Sequence, residues 1–215
     1  MSHYEDEAQV EQLKRWWQEN WLPLVGGLAL GLAGIFGWEA WESRETRVSE
    51  QASHMYEDLK KAIAADKADE VKSLGARLTG EFGGTPYAAQ AALALAQFAA
   101  NKGDWDAANE HLVWVVKHSD DDGLRALARL RRARVLWEQG KADEALALLE
   151  GKMSEVGKFA PLYEELRGDI QFAKGDRAAA RAAYQKALEA GVAPADREFL
   201  QRKLDDLADA APAQS

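Results

Sequence analysis

The chain has no cysteine, only five prolines in 215 residues, and fewer bases than acids. Each shortage removes a class of protein. Without thiols there is no disulfide framework, no thiolate zinc site and no cysteine nucleophile. The balance of 27 Lys plus Arg against 36 Asp plus Glu, a formal charge of -9, is wrong for a nucleic-acid binder, which needs a basic face to displace counterions. The four histidines, His3, His54, His111 and His118, are dispersed without an HExxH or a paired carboxylate spacing, so no metal or acid-base site is expected. A GxSxG nucleophile elbow is absent. The segment Gly151 to Lys158 puts five residues between its glycines where a phosphate loop needs four, and is followed by Phe159 instead of Ser or Thr, so it reads as a turn. Ser119-Asp120-Asp121-Asp122-Gly123 reads as a solvated loop carrying the N-cap of the next helix, not as a cation site.

Alanine, by contrast, fills 41 positions, about 19%. With proline so scarce, that composition suits closely packed helices, and an all-α soluble part is expected.

The mean hydropathy of -0.43 conceals one apolar run. Trp21 to Trp38 is 18 residues without a charge, about 27 Å as a helix and close to the thickness of a bilayer's hydrocarbon core. Trp16, Trp17, Trp21, Trp38 and Trp41 stand at its two ends, where amphipathic rings favour the headgroup zone. Gly37-Trp38-Glu39-Ala40-Trp41 lacks the small-x-small pattern of a cleavage site, so the segment reads as an uncleaved transmembrane anchor. Its orientation is not decided by charge, since Lys14 and Arg15 before the span balance Arg44 and Arg47 after it. Within the span, Gly27 and Gly31 with Gly34 form one small-residue row, and Ala29, Ala33 and Gly37 a second. Such rows admit a second helix closely, although glycine is also simply common in transmembrane helices. Before the span, Val10, Leu13, Trp16 and Trp17 oppose Glu11, Lys14, Arg15 and Gln18, the pattern of an amphipathic segment at a membrane surface.

The remainder repeats at a period of 35 to 37. Short turns read Lys102-Gly103-Asp104, Gln139-Gly140-Lys141 and Lys174-Gly175-Asp176. Seven residues before each glycine stands a small residue (Ala96, Ala133, Gly168), five after it an alanine (Ala108, Ala145, Ala180), and nine after it a larger apolar residue (Leu112, Leu149, Tyr184). The small columns are the close contacts of a helical hairpin, and the large one fills the layer against the next hairpin. These columns resemble the tetratricopeptide repeat, a 34-residue helix-turn-helix unit stacked into a solenoid. Ser53 to Ala65 and Ala68 to Leu78 fit a degenerate earlier unit with Asp66 at its turn, and Gly83-Gly84-Thr85-Pro86 separates it from the clear repeats. From Pro194, a helix with Leu200, Leu204 and Leu207 on one face reads as the solubilising cap.

The layout expected is an amphipathic tail at 1–20, an anchor at 21–41, a linker helix and degenerate repeat at 42–84, three repeats at 85–193, a capping helix at 194–209 and a flexible tail at 210–215. The fold class is therefore all-α, a single N-terminal transmembrane helix followed by a tetratricopeptide-like solenoid.

The least ordinary stretch is LRALARLRRARVLWEQ, where Arg125, Arg129 and Arg132 follow one stripe, with Arg131 and Arg134 beside it. First helices of successive hairpins line the concave face of such solenoids, and arginine there is suited to reading carboxylates. Trp137 and Phe172 are candidates to border the same groove, or equally to lie in the core. The alternative role for the arginines is salt bridging to Glu164, Glu165 or Asp169.

Tyr4-Glu5-Asp6-Glu7, Gln9-Val10-Glu11, Lys14-Arg15-Trp16-Trp17 and Glu19-Asn20, joined to Gly37-Trp38 and Trp41, carry a more specific likeness. Arg132-Ala133-Arg134-Val135, Asp143, Ala145-Leu146, Leu166-Arg167-Gly168 and Lys174-Gly175-Asp176 extend it over nearly the whole chain. The sequence resembles the YfgM family of bacterial inner-membrane proteins, ancillary subunits of the SecYEG translocon. That resemblance implies a cytoplasmic tail, a periplasmic repeat domain, and as partners the translocon, a membrane-anchored periplasmic chaperone of the PpiD type and other periplasmic chaperones. It implies no enzyme and no cofactor: the chain would be a platform that helps pass secreted proteins to periplasmic folding factors. A membrane-anchored scaffold or signalling adaptor with a cytosolic repeat domain is the alternative that the tied charge count leaves open.

Overall fold

The computed structural model describes residues 2–150 and 156–209, side chains at 2–9, 12, 29, 40, 194–195 and 208–209 excepted. Among the described residues every element is helical. The expected tail at 210–215 and the start of the Gly151 to Lys158 turn lie outside them. The chain divides into two compact units, Met1–Glu50 and Gln51–Ser215.

In the first unit the backbone is α1 (Ser2–Ala64), which carries Pro23 inside it and continues into the second. It is long and apolar enough to cross a membrane by length and composition, and none of its apolar window is buried. Leu30 is 76% exposed. An apolar face left this open is unfavourable in water and suits hydrocarbon. Trp38 and Trp41 meet edge to face, their ring centres 5.6 Å apart.

The second unit is a stack of hairpins. After the last turns of α1 come α2 (Ala68–Gly80), α3 (Pro86–Asn101) with α4 (Trp105–His118), α5 (Asp122–Glu138) with α6 (Ala142–Leu149), α7 (Ala160–Ala173) with α8 (Arg177–Glu189), and the closing α9 (Pro194–Asp209). A 3₁₀ turn, Gly157–Phe159, leads into α7. The hairpin turns share one hydrogen-bond pattern. The amides of Gly103 and Asp104 donate to the carbonyls of Ala100 and Ala99, those of Gly140 and Lys141 to Trp137 and Leu136, and those of Gly175 and Asp176 to Phe172 and Gln171. This is the Schellman arrangement, which requires a left-handed residue after the helix, and the three glycines have φ of 75°, 76° and 85°. At the first turn the amides of Asp66 and Lys67 make the same two bonds, to the carbonyls of Ile63 and Ala62, and Asp66 has a φ of 55° without being glycine. Its short polar side chain tolerates that region better than a branched one would.

The repeat columns are where the hairpins touch. Ala96, Ala133, Ala108, Ala145, Ala180, Leu112, Leu149 and Tyr184 are all buried, as is Gly168. A polar rung joins successive turns at their edge: Lys102 to Asp66 at 2.5 Å, Gln139 to Asp106 at 2.8 Å, and Lys174 to Asp143. The residue just before each turn glycine thus reaches an acid of the preceding unit. At the far end Leu200 and Leu207 of α9 pack on Ala180, Tyr184 and Ala187 of α8, closing the core.

Candidate functional site

The arginines of α5 are placed by the burial of its alanines and leucines. Asp121 caps the helix, its carboxylate accepting from the Leu124 amide at 2.9 Å. Two seams then take its apolar residues: Ala126, Leu130, Ala133 and Leu136 pack toward α6 and α7, while Ala128 and Val135 join the core of α3 and α4. Arginines occupy the positions between these seams, and so they face different neighbours.

Arg125 is consumed at its own helix start, donating to the Ser119 carbonyl at 2.8 Å and pairing with Asp122. Arg129 stands at a cleft of about 510 Å³ that Arg125, Val156, Lys158 and Phe159 also line. The buried Tyr163 lies close to it, donating its phenol to the Ala126 carbonyl at 2.7 Å. Burial pushes that phenol up to about 12, and the Arg129 cation opposes the rise only in part. Arg132 points the other way and donates through Nε to Asn109 of α4 at 2.8 Å. The stripe of Arg125, Arg129 and Arg132 is therefore divided among three environments.

A different pair is brought together. Arg134 and Arg131 line a groove of about 360 Å³ between α3 and α5, with Gln97, Ala100, Trp105 and Leu112 among its walls. Burial lowers the pKa of Arg131, and the neighbouring Arg134 cation lowers it further. Among the described residues no carboxylate lies within ion-pair distance of Arg129, Arg131 or Arg134. The salt bridges expected to Glu164, Glu165 and Asp169 go elsewhere. Glu164, 2% exposed, pairs with Arg167 of its own helix at 3.0 Å. Glu165 and Asp169 both pair with Lys203 of the capping helix, at 2.9 and 2.6 Å. Spacing along the chain could not show that α9 brings Lys203 onto α7. Of the two aromatic candidates, Trp137 packs half-buried against the core of α5 to α7. Phe172 is 49% exposed beneath the Arg177 guanidinium.

In the membrane-type helix, a Cβ added at Gly27, Gly31, Gly34 or Gly37 meets nothing within 4 Å. Ala33 is exposed too, while the side chain of Ala29 lies outside the described residues. At the described positions of the two small-residue rows, no other part of the same unit fills the space beside the helix.

Comparison with known proteins places this architecture. The family model described as "Tetratricopeptide repeat-like domain" matches residues 14–209. The "Ancillary SecYEG translocon subunit" of Escherichia coli K12 is 33% identical over 208 residues, covering 96% of this chain and 99% of its own. Proteins of the same description from Haemophilus influenzae and Neisseria gonorrhoeae are 31% and 30% identical, covering 94% and 96% of this chain and 98% and 99% of theirs. Among solved structures, the crystal structure of MamA protein overlaps 56% of this chain and 62% of its own at 20% identity, with a TM-score of 0.44, a likeness on which no argument rests. With identity of this order held from end to end, and the repeat-like domain under most of the sequence, the chain belongs to the family of the ancillary SecYEG translocon subunits, the YfgM family.

Proposed function

We propose that this protein is a non-catalytic docking subunit of the Sec translocon, anchored in the inner membrane by its N-terminal helix. The observation that carries the reading is likeness to ancillary translocon subunits along the anchor and the repeats alike, covering 96% of this chain in the E. coli case. In this reading the tail is cytoplasmic and the repeat unit periplasmic. The protein holds a chaperone of the PpiD type, with other periplasmic chaperones as further partners, and helps transfer secreted chains to them. The rows Gly27, Gly31, Gly34 and Ala29, Ala33, Gly37 pack against a partner's membrane helix, because small residues let two backbones approach where no hydrophobic gain separates lipid from protein. The repeat unit works apart from the anchor, through its concave face and its charges.

Two measurements test this. Alkaline phosphatase fused after Ser215 is expected to be active, and a cytosol-only reporter at the same place silent; the reverse would favour the cytosolic scaffold. Purification of the full chain from solubilised membranes is expected to bring the translocon with it, and Gly27→Leu with Gly31→Leu to reduce that recovery while the span stays hydrophobic. Unchanged recovery would remove the small-residue rows from the proposal, and absence of the translocon from the wild-type preparation would remove the proposal itself.

A further inference from the structure

We infer that the groove between α3 and α5 is a docking slot for an extended, alternately acidic and apolar peptide segment of a partner protein, with Arg131 and Arg134 as its carboxylate readers. This rests on the reading of the repeat unit as a docking module and names what that module takes.

The argument is one of charge and shape. Two guanidiniums side by side repel one another, and folding has partly dried Arg131. Several other cations drawn into this unit hold an acid or a carbonyl: Arg167 has Glu164 and the Leu149 carbonyl, Lys203 has Glu165 and Asp169, and Arg125 has Asp122 and the Ser119 carbonyl, while Arg129 stands singly at the separate cleft. Arg131 and Arg134 have no such partner among the described residues, although Glu138 borders the same groove. A carboxylate between them relieves the repulsion and matches the planar fork of arginine with two parallel hydrogen bonds.

The remaining walls are suited to a main chain and an apolar side chain. The half-buried Trp105 and Ala100 supply apolar surface at the groove, over the buried Leu112 and Val135. The Gln97 amide donates to Asn101 at 2.8 Å, which leaves the Gln97 Oε1 as acceptor and the Asn101 Nδ2 as donor for a peptide backbone. In a strand-like segment successive side chains point opposite ways, so an acid and its apolar neighbour meet different walls. A protein of net charge -9 repels acidic peptides in general, so attraction of one to this face has to come from a local pair of this kind.

The test uses the full chain in nanodiscs of zwitterionic lipid and dye-labelled ten-residue peptides of alternating Leu with Glu, Gln or Lys, followed by fluorescence anisotropy. The Glu peptide is expected to bind at least tenfold more tightly than the Gln peptide, with the Lys peptide weakest. Its affinity should fall as salt is raised. Arg131→Gln with Arg134→Gln should weaken the Glu peptide tenfold or more, Arg131→Lys with Arg134→Lys by less, and Arg125→Gln with Arg129→Gln should leave it unchanged. Thermal melts of each variant confirm folding, and the lysine pair covers the case in which the glutamine pair is unstable. Equal binding of Glu and Gln peptides refutes the inference, as does an unaffected glutamine pair or an equal loss in the Arg125 and Arg129 variant. Recovery of the translocon from the same strains separates the two levels: a wild-type chain that recovers the translocon but does not bind the Glu peptide overturns the slot alone, whereas a wild-type chain that recovers no translocon overturns the docking role beneath it.

Discussion

Gly168 is the tightest test of the repeat register. It occupies the small-residue column of the α7–α8 hairpin, and a Cβ built on it meets Cε1 and Cδ1 of Tyr184 in overlap and Cζ at 3.0 Å. That ring is not free to swing away. It is buried, its hydroxyl donates to Asp169 at 2.8 Å, and Lys203 sits over its face at 5.4 Å from the ring centre. Gly168→Ala should therefore cost about 1–3 kcal/mol by overpacking, an effect that must exceed the gain of roughly 1 kcal/mol normally seen when alanine replaces glycine inside a helix. Tyr184→Leu removes the planar ring and leaves Asp169 paired with Lys203 at 2.6 Å. In that background the obstruction is gone and only the helix gain remains, so the same Gly168→Ala change should stabilise by up to about 1 kcal/mol. The quantity to measure is the coupling between the two sites, from urea unfolding of the wild type, both single variants and the double. A coupling of about 1–3 kcal/mol with a change of sign is the expected result. Stabilisation of similar size in both backgrounds would show that Tyr184 does not cover Gly168 and that the hairpin is packed in another register. Gly75 provides a comparison: its Cβ would meet Leu95 Cδ1 at 2.5 Å, but a branched aliphatic tip can rotate, so Gly75→Ala should cost less than Gly168→Ala.

Removing Arg167 while keeping Glu164 leaves a carboxylate buried without its cation, so Arg167→Met should cost about 3–5 kcal/mol, and adding Glu164→Leu should recover much of it in the same unfolding assay. Lys141 is the N-cap of α6 and makes no side-chain cap bond, whereas Asp104 and Asp176 at the equivalent position accept from Ala107 and Ala179; Lys141→Asp should raise stability by about 1 kcal/mol. Burial lowers the pKa of His111 against the pull of Glu110 and Asp104, so its neutral form is favoured by folding and its contribution is present above the unfolded value of 6.5 and lost as pH falls through and below it. Midpoints measured from pH 7 to pH 5 should therefore fall, and His111→Gln should flatten that part of the profile. At the alkaline end the Tyr163 phenol, raised to about 12 in the fold, contributes stability that is whole below 10 and declines as pH rises from 10 toward 12; Tyr163→Phe should lessen that decline and leave the part due to Tyr184, which burial and the Asp169 hydrogen bond also raise.

The hairpins were legible in the sequence because their signals are local and repeated. A left-handed glycine, a small residue seven before it and an alanine five after it are fixed by the geometry of one turn, and three copies at one period exclude coincidence. Asp66 was legible by register alone, since nothing in an aspartate announces a φ of 55°. The rungs between turns were not visible, because Lys102, Gln139 and Lys174 differ in charge and find acids 31 to 36 residues away, as in the pairs Lys174–Asp143 and Lys102–Asp66. Such contacts follow from the stacking of units and not from any motif.

The arginine helix shows where helical periodicity stops being informative. A stripe at i, i+4 and i+7 identifies residues on one side of a cylinder, and Arg125, Arg129 and Arg132 do satisfy it. In a solenoid, however, a first helix touches several others, and α5 meets α3, α4, α6 and α7, so one side of it is divided among them. Arg125 falls at the helix start, where an unpaired carbonyl and Asp122 take it; Arg132 drifts onto α4. What decides which residues face the groove between α3 and α5 is the position relative to the turn glycine. Arg134 stands six before Gly140, at the same place as Gln97 before Gly103 and Asp169 before Gly175. Gln97 and Arg134 face one groove, and Asp169 at the corresponding place is covered by Lys203 of the cap. Aligning the repeats by column would have selected Arg134 and then Arg131, three residues earlier, ahead of the stripe. Arg134 puts a cation in that column and, with Arg131 one turn earlier, lines the α3–α5 groove with no acid within ion-pair distance among the described residues, which is the feature the peptide measurement above examines.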